Sequence, residues 1–464
     1  MKNHTIEQVS IFLSVAKWLI LSSVVGVIIG ASVTLFLNIL QFSEANQSLL
    51  PFKHYYLLPL ALVLTVWLVK KFAPDAHGHG TEKVIEAVHK KSGKIELAVI
   101  PVKLLATVLT IFSGGSVGKE GPGAQIGAGM ASFVSDIFRF SEEDRKTLVI
   151  CGIGAGFASV FGTPIAGAIF GVEVLIVGLI RYDVLLPSFI AGFSAFSTAQ
   201  FLGIEYTYFN IYFQQQVGLD LPLIMQVVLA GVFFGVVSDF TITMLKKVSK
   251  VIAKIPMNRY FKAFFGGVVL VLLSLVVGEQ YFGLGLDTID EMLSVHNYTP
   301  LDIPWYTFLF KTLFTSITLG VGGSGGIVTP IFYIGATSGH WFGTMIGNDQ
   351  VTFFAALGFI SVLAGTTNSP IAATIMAMEL FGIEVAHYAA ISVVISFLMT
   401  GHRSVFASQI LAMKKSDLLK IDMGEDIAHT KVSMKDDDVD KFKNIRESII
   451  IKRKKYKEKM KSKK

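Results

Sequence analysis

Cysteine is nearly missing from this chain: Cys151 stands alone among 464 residues. A single thiol excludes an intrachain disulfide framework and a cysteine metal site. Charge is sparse as well. Only 16% of residues are Asp, Glu, Lys or Arg, where a soluble protein carries about 25%. Metal-ligand spacing is absent too. No H-E-x-x-H occurs, and His77 and His79 have no third ligand nearby, so no metal centre and no metalloenzyme is expected. A nucleotide-binding loop needs Gly, four residues, then Gly-Lys-Ser/Thr. Here Ser113 stands at the first glycine and Glu120 follows Lys119. The chain is read as non-enzymatic and without a cofactor.

The formal charge of +6 is gathered at one end. From Lys414 onward there are 17 Lys+Arg against 10 Asp+Glu, which leaves the preceding body near −1. The ending "IIIKRKKYKEKMKSKK" reads as a solvated cytoplasmic tail under the positive-inside rule. Contact with anionic lipid is a possible addition, and no nucleic-acid partner is implied. Residues 411–464 are assigned to this tail, which is too short for a pair of regulatory domains.

What the chain has in abundance is apolar sequence: 52% hydrophobic residues and a mean hydropathy of +0.60. The run Ile11–Leu40 exceeds the roughly 20 residues that cross a ~30 Å hydrocarbon core. It is too long for a signal-peptide core, so it is read as a retained membrane segment. Later runs, such as Ile100–Phe112, Ile165–Ile180 and Ile371–Phe381, are shorter and interrupted by Gly or Pro. Such segments suit broken or tilted helices buried among other helices. An all-α polytopic membrane protein is the class this composition allows.

The chain also repeats itself. "GGSVGKEGPGAQIGA" (Gly114–Ala128) lies over "GGSGGIVTPIFYIGA" (Gly322–Ala336) without a gap, at an offset of 208. Lys103 matches Lys311 at the same offset. "TPIAGAIFGVEVL" (Thr163–Leu175) matches "SPIAATIMAMELF" (Ser369–Phe381) at 206, pairing Pro164 with Pro370 and Glu173 with Glu379. The reading is a transmembrane domain over residues 1–410, with repeat 1 at about 15–205 and repeat 2 at about 220–410. Repeats with Gly/Pro-interrupted segments at matching positions point to a transport site where the halves meet. Close helix packing by small residues explains scattered glycines, but not Gly-Gly-Ser and a proline recurring in register.

A glycine-rich loop that opens into a helix presents unpaired N–H groups and a partial positive charge, which together hold anions. Glycine lets the backbone approach the ion. Three such starts occur: "SGGSVGKEGP", "GGSGGIVTP" and "APDAHGHGTEKVIEAVH" (Ala73–His89). Neutral dipoles suit conduction, because binding must be weak enough for release. Glu120 lies beside the first start, and an ionisable residue at membrane depth is a functional candidate. Its carboxylate is itself an anion and can stand where a permeating anion would stand. Protonation would vacate that place, which makes a gate sensitive to pH. The alternative role is a structural partner for Lys119.

These residues resemble the CLC family of chloride channels and chloride/proton exchangers. "GKEGP" (Gly118–Pro122) matches the family's G-K/R-E-G-P motif, "GGIVTP" (Gly325–Pro330) resembles its G-x-F-x-P motif, and "GHGTE" (Gly78–Glu82) falls where the family has G-S-G-I-P. The likeness covers roughly residues 15–412 and is to the prokaryotic type, without regulatory domains. It implies two repeats of inverted topology, a homodimer with one pore per subunit, and both termini cytoplasmic in a plasma membrane. It makes Glu120 the external gate and places His79, Gly80, Gly118, Lys119, Gly121, Gly326, Ile327, Val328 and Phe406 around the anion, the amides of Ile327 and Val328 at the central site.

Departures from the family pattern shape the mechanism expected. His79 replaces an anion-coordinating serine, Phe406 replaces a tyrosine whose hydroxyl contacts the anion, and Val328 replaces a phenylalanine. Glu82 replaces the motif proline and is expected to face away from the pore. Val174 stands where exchangers often carry an internal proton-transferring glutamate. Glu173 beside it is either part of a proton path or a helix brace. The resemblance with these departures implies a glutamate-gated channel for chloride-like monovalent anions. The alternative is a chloride/proton antiporter with a non-standard proton pathway. The partners expected are the anion, protons in the second case, and the lipid bilayer.

Overall fold

The structure, a computed structural model, describes residues 2–209, 211, 221–294, 303–348 and 350–434. Eight helices form the first half: α1 (Lys2–Ala45), α2 (Leu58–Phe72), α3 (Thr81–Lys90), α4 (Val99–Phe112), α5 (Glu120–Ile137), α6 (Glu142–Phe161), α7 (Pro164–Glu173) and α8 (Tyr182–Phe201). Eight follow, each matching its counterpart in position: α9 (Leu221–Lys254), α10 (Arg259–Val277), α11 (Leu286–Leu293), α12 (Thr307–Gly320), α13 (Val328–Met345), α14 (Val351–Thr367), α15 (Pro370–Phe381) and α16 (Ile383–Met399). The repeat read from the sequence is thus a repeat of helices, and the fold is the all-α one expected.

Local chemistry sets many of the boundaries. Pro164 and Pro370 open α7 and α15, where a missing N–H costs nothing. Ser141 caps α6 by accepting from the Asp144 N–H, with Glu142, Glu143 and Asp144 in the first turn, where acids favour the helix dipole. Gly162, in a left-handed conformation (φ 74°), ends the same helix.

Hydropathy sorts the layers. Among the described residues five helical stretches are long and apolar enough to cross a membrane: His4–Leu49, His54–Phe72, Tyr182–Phe201, Leu221–Lys254 and Arg259–Val277. Their outward faces carry exposed apolar side chains such as Leu60, Leu229, Leu272 and Val276, suited to lipid. Inside them α5 packs on α6, and α13 on α14, buried on nearly every face. Glycine makes that close approach possible. A Cβ at Gly127 would lie 2.4 Å from the Gly152 carbonyl oxygen, and one at its mate Gly335 would lie 2.4 Å from that of Gly358.

The halves are related by an approximate two-fold, and the contacts across it come in reciprocal pairs. Gly118 N–H donates to Gly326 O at 2.7 Å, and Gly326 N–H donates back to Gly118 O. The Ser116 N–H donates to Thr318 Oγ1 at 3.3 Å, and the Ser324 N–H to Thr110 Oγ1 at 3.2 Å. Each of these residues is 208 from its mate.

The boundary drawn at residue 410 falls inside a packed unit. Strand β1 (Ile176–Val177) pairs in parallel with β2 (Ile410–Leu411), and β3 (Leu419–Ile421) pairs antiparallel with β4 (Val432–Met434). Leu411, Ile421 and Ile427 bury against Val177 and Phe397. Residues up to 434 therefore fold back onto the helices because they carry apolar side chains between their charges. The charge run from 435 onward lies outside the described residues.

Candidate anion pathway

The three glycine-rich helix starts converge. A Cβ at Gly80 would lie 2.4 Å from Gly121 O, and one at Gly121 would lie 2.1 Å from His79 O and 3.0 Å from the Gly326 Cα. The starts of α3 and α5 and the loop before α13 thus touch backbone to backbone. No side chain larger than hydrogen fits between them. This is why glycine stands at all three places.

The loops leading to these starts are closed by protein. Gly114 and Gly115 N–H groups donate to Ile111 O and Thr110 O, and Gly322 and Gly323 donate to Leu319 O and Thr318 O. Ser116 and Ser324 are held by threonines of the opposite half, and Gly118 and Gly326 by each other. The expected role of Gly118 and Gly326 as anion donors is therefore corrected: both N–H groups are spent across the two-fold. An unpaired N–H at membrane depth costs several kcal/mol, and symmetry offers each loop a ready acceptor.

The helix starts differ from the loops. No side chain caps α5 at Lys119 or α13 at Ile327. Among the described residues the N–H groups of Gly121, Ile327 and Val328 have no protein acceptor. The next donor in α13 is taken by Glu120. Its carboxylate, fully buried, accepts from the Thr329 N–H at 3.0 Å and from the Thr329 hydroxyl at 2.6 Å. Glu120 and Val328 are repeat mates, 208 apart. The carboxylate of one half thus caps the helix that begins at its own counterpart in the other.

His79 and Phe406 stand together, ring centroids 5.7 Å apart. The His79 Nδ1 is buried with no partner, while the residue as a whole is partly exposed. Phe406 is fully buried, on a loop tied to α14 through Val405 N–H to Thr366 O at 2.9 Å. Glu82 turns its carboxylate to that loop and accepts from Ser408 N–H at 3.0 Å and Ser408 Oγ at 2.7 Å. Lys119 is partly exposed and makes no ion pair among the described residues.

Glu173 and Glu379 form a reciprocal clasp. Glu173 accepts from Ile371 N–H (3.0 Å) and Ala372 N–H (2.8 Å), at the start of α15. Glu379 accepts from Ile165 N–H (3.0 Å) and Ala166 N–H (2.8 Å), at the start of α7. Each carboxylate caps the other's helix, where its charge meets the positive end of the dipole. Val174 is fully buried and its carbonyl accepts from Gln409 Nε2 at 2.8 Å.

Two supports escaped sequence reasoning. In the sequence Thr329 is only one letter of a motif, yet its hydroxyl holds the Glu120 carboxylate. The buried lysines were matched as repeat mates without a role. Lys103 donates to Ala76 O (3.2 Å) and Gly78 O, pinning the turn before α3. Lys311 donates to Tyr281 O (3.2 Å) and Gly283 O (2.9 Å), pinning the turn before α11. The signal was present: "GHG" (Gly78–Gly80) has a counterpart "GLG" (Gly283–Gly285), 205 residues on. All four glycines have positive φ, from 57° to 79°.

Two helical halves related by an approximate two-fold, whose uncapped helix starts meet inside the bundle, one of them occupied by a carboxylate, define a membrane transport protein for anions. The profile of the voltage gated chloride channel family matches residues 60–401, and the chain belongs to that family, the CLC proteins. It is 34% identical over 88% of its length to a chloride/fluoride channel protein of Pseudomonas syringae pv. tomato, covering 90% of that protein. It is 28% identical over 78% of its length to an H(+)/Cl(-) exchange transporter, ClcA, of Vibrio vulnificus, covering 81% of it. Among solved structures, a CLC-type fluoride/proton antiporter superposes with a TM-score of 0.79 at 30% identity, over 86% of this chain and 99% of that one. The family resemblance read from the sequence motifs is thereby confirmed.

Proposed function

We propose that this protein exchanges small halides, fluoride and chloride, for protons, and that Glu120 both blocks the anion path and carries the proton. One observation carries the reading: the Glu120 carboxylate sits on the Thr329 N–H and hydroxyl, next to the unpaired N–H groups of Ile327 and Val328. A halide arriving there competes with the carboxylate for the same donors, so protonated Glu120 and bound halide favour each other. The His79 ring, with its unpaired Nδ1, offers a further donor beside Phe406. The fluoride named for two of the relatives supports including it among the permeants.

A second reading is an uncoupled, glutamate-gated channel. It is favoured by Val174 at the place of an internal acid and by Glu173 being engaged as a helix cap. Proteoliposomes loaded with fluoride or chloride separate the two. Exchange predicts that halide efflux drives protons inward against a pH gradient. Halide flux that moves no protons would leave the channel. Glu120→Gln, a mimic of the protonated gate, is expected to keep halide flux and lose both proton movement and pH response. We also propose a homodimer with cytoplasmic termini in the plasma membrane, in keeping with the cation-rich C-terminal end.

A further inference from the structure

A cleft of about 400 Å³ lies away from the anion pathway, between the end of α9, the start of α10 and the end of α12. Its walls include Val251, Ile255, Phe265 and Ile317, and two cations, Lys247 and Lys262, belong to its rim. Every other lining residue is apolar or glycine. Apart from those two cations, the walls offer nothing to a halide or to ordered water, which needs two to four polar partners.

The surrounding charge is one-sided. From Met244 to Lys262 the chain carries Lys246, Lys247, Lys250, Lys254, Arg259 and Lys262 and no acid. None of the six lies within 4.0 Å of a carboxylate among the described residues. Lys262 Nζ donates to Ala253 O at 3.1 Å, which holds it over the end of α9 with donors to spare. By the positive-inside rule this hairpin faces the cytoplasm. Helix α9 has 34 residues, so at about 1.5 Å per residue it outruns a ~30 Å hydrocarbon core and carries its last turns to headgroup level. The cations therefore lie at phosphate depth and the apolar walls at acyl depth.

We infer that this cleft binds one anionic phospholipid of the inner leaflet, an acyl chain in the cleft and the phosphate between Lys247 and Lys262. The charge selects an anionic headgroup over a zwitterionic one, because each lysine near the membrane surface favours anionic lipid. The apolar walls require a chain, so free phosphate does not substitute.

The test uses the full-length purified protein, with native mass spectrometry and lipid titration in phosphatidylglycerol or phosphatidylcholine of identical chains. Wild-type protein should retain phosphatidylglycerol in preference to phosphatidylcholine, and inorganic phosphate should not displace it. Lys247→Gln should weaken phosphatidylglycerol binding about fivefold, as should Lys262→Gln, the worth of one cation against anionic lipid. Val251→Trp, at an exposed wall position, should reduce retention of both lipids by filling the cleft. The control double variant Lys420→Gln/Lys431→Gln should change nothing. Equal retention of the two lipids overturns the inference. So does displacement by phosphate, a control as weak as the cleft variants, or undiminished binding to the tryptophan variant. Halide flux is not the readout, so the outcome is independent of the transport mechanism.

Discussion

Thr329→Val probes the seat of the Glu120 carboxylate, the gate proposed above. The substitution removes the hydroxyl that donates to Glu120 at 2.6 Å and keeps the Thr329 N–H that donates at 3.0 Å. A hydrogen bond to a charged group contributes about 1.5–3 kcal/mol. At 1.36 kcal/mol per tenfold, losing it shifts the balance between seated and released carboxylate by about 10- to 150-fold. Where release of Glu120 limits transport, initial halide efflux from proteoliposomes should rise within that range. Thr329→Ser, which restores the hydroxyl, should return to the wild-type rate. The decisive comparison is the double variant. In a Glu120→Gln background the carboxylate is gone, so Thr329→Val should add little to halide flux. An equal effect of Thr329→Val with and without the carboxylate would show that Thr329 acts on the anion or on helix α13 directly, and the seated-gate reasoning would be refuted.

Further outcomes follow from the same geometry. Glu173→Gln and Glu379→Gln each take one carboxylate oxygen from a pair of N–H donors. Each should lower stability by about 1–3 kcal/mol in denaturant or thermal unfolding, by similar amounts, with the ratio of proton to halide flux unchanged. Loss of proton flux without loss of stability would instead make Glu173 a proton carrier. Lys103→Met frees the turn that presents His79 and should change halide selectivity as well as thermal stability. Lys311→Met frees the matching turn before α11 and should lower stability alone. Gly127→Leu and Gly335→Leu force a side chain against carbonyl oxygens 2.4 Å from the first added carbon. Each should cost about 3 kcal/mol or more, read as loss of monodisperse protein on size exclusion.

Much of this architecture is legible in the residue string. Hydropathy declares a membrane protein, because a lipid environment tolerates so few charges. The offset of 208 declares two halves, and glycine followed by proline declares a helix that begins abruptly. Glu120 was visible because a lone acid beside such a start has few other uses. Glu173 was harder to place: spacing put it beside Val174 but left open whether its carboxylate served protons or a helix start some 200 residues away. The anion-donor role read for Gly118 and Gly326 failed for a related reason. A loop's unpaired N–H groups are evident from its sequence, but the acceptor that takes them belongs to the other half of the chain.

The division follows from range. Patterns within one turn or one span, such as glycine loops and apolar runs, act locally, and the sequence alone settled them. Partnerships across the two-fold depend on where two distant segments are set down. Only the folded chain decided that Gly118 and Gly326 satisfy each other, that Glu173 and Glu379 exchange caps, and that Glu120 rests on Thr329. In each case a buried polar group had to find an acceptor or donor, and an approximate two-fold brought the same elements of the opposite half within reach.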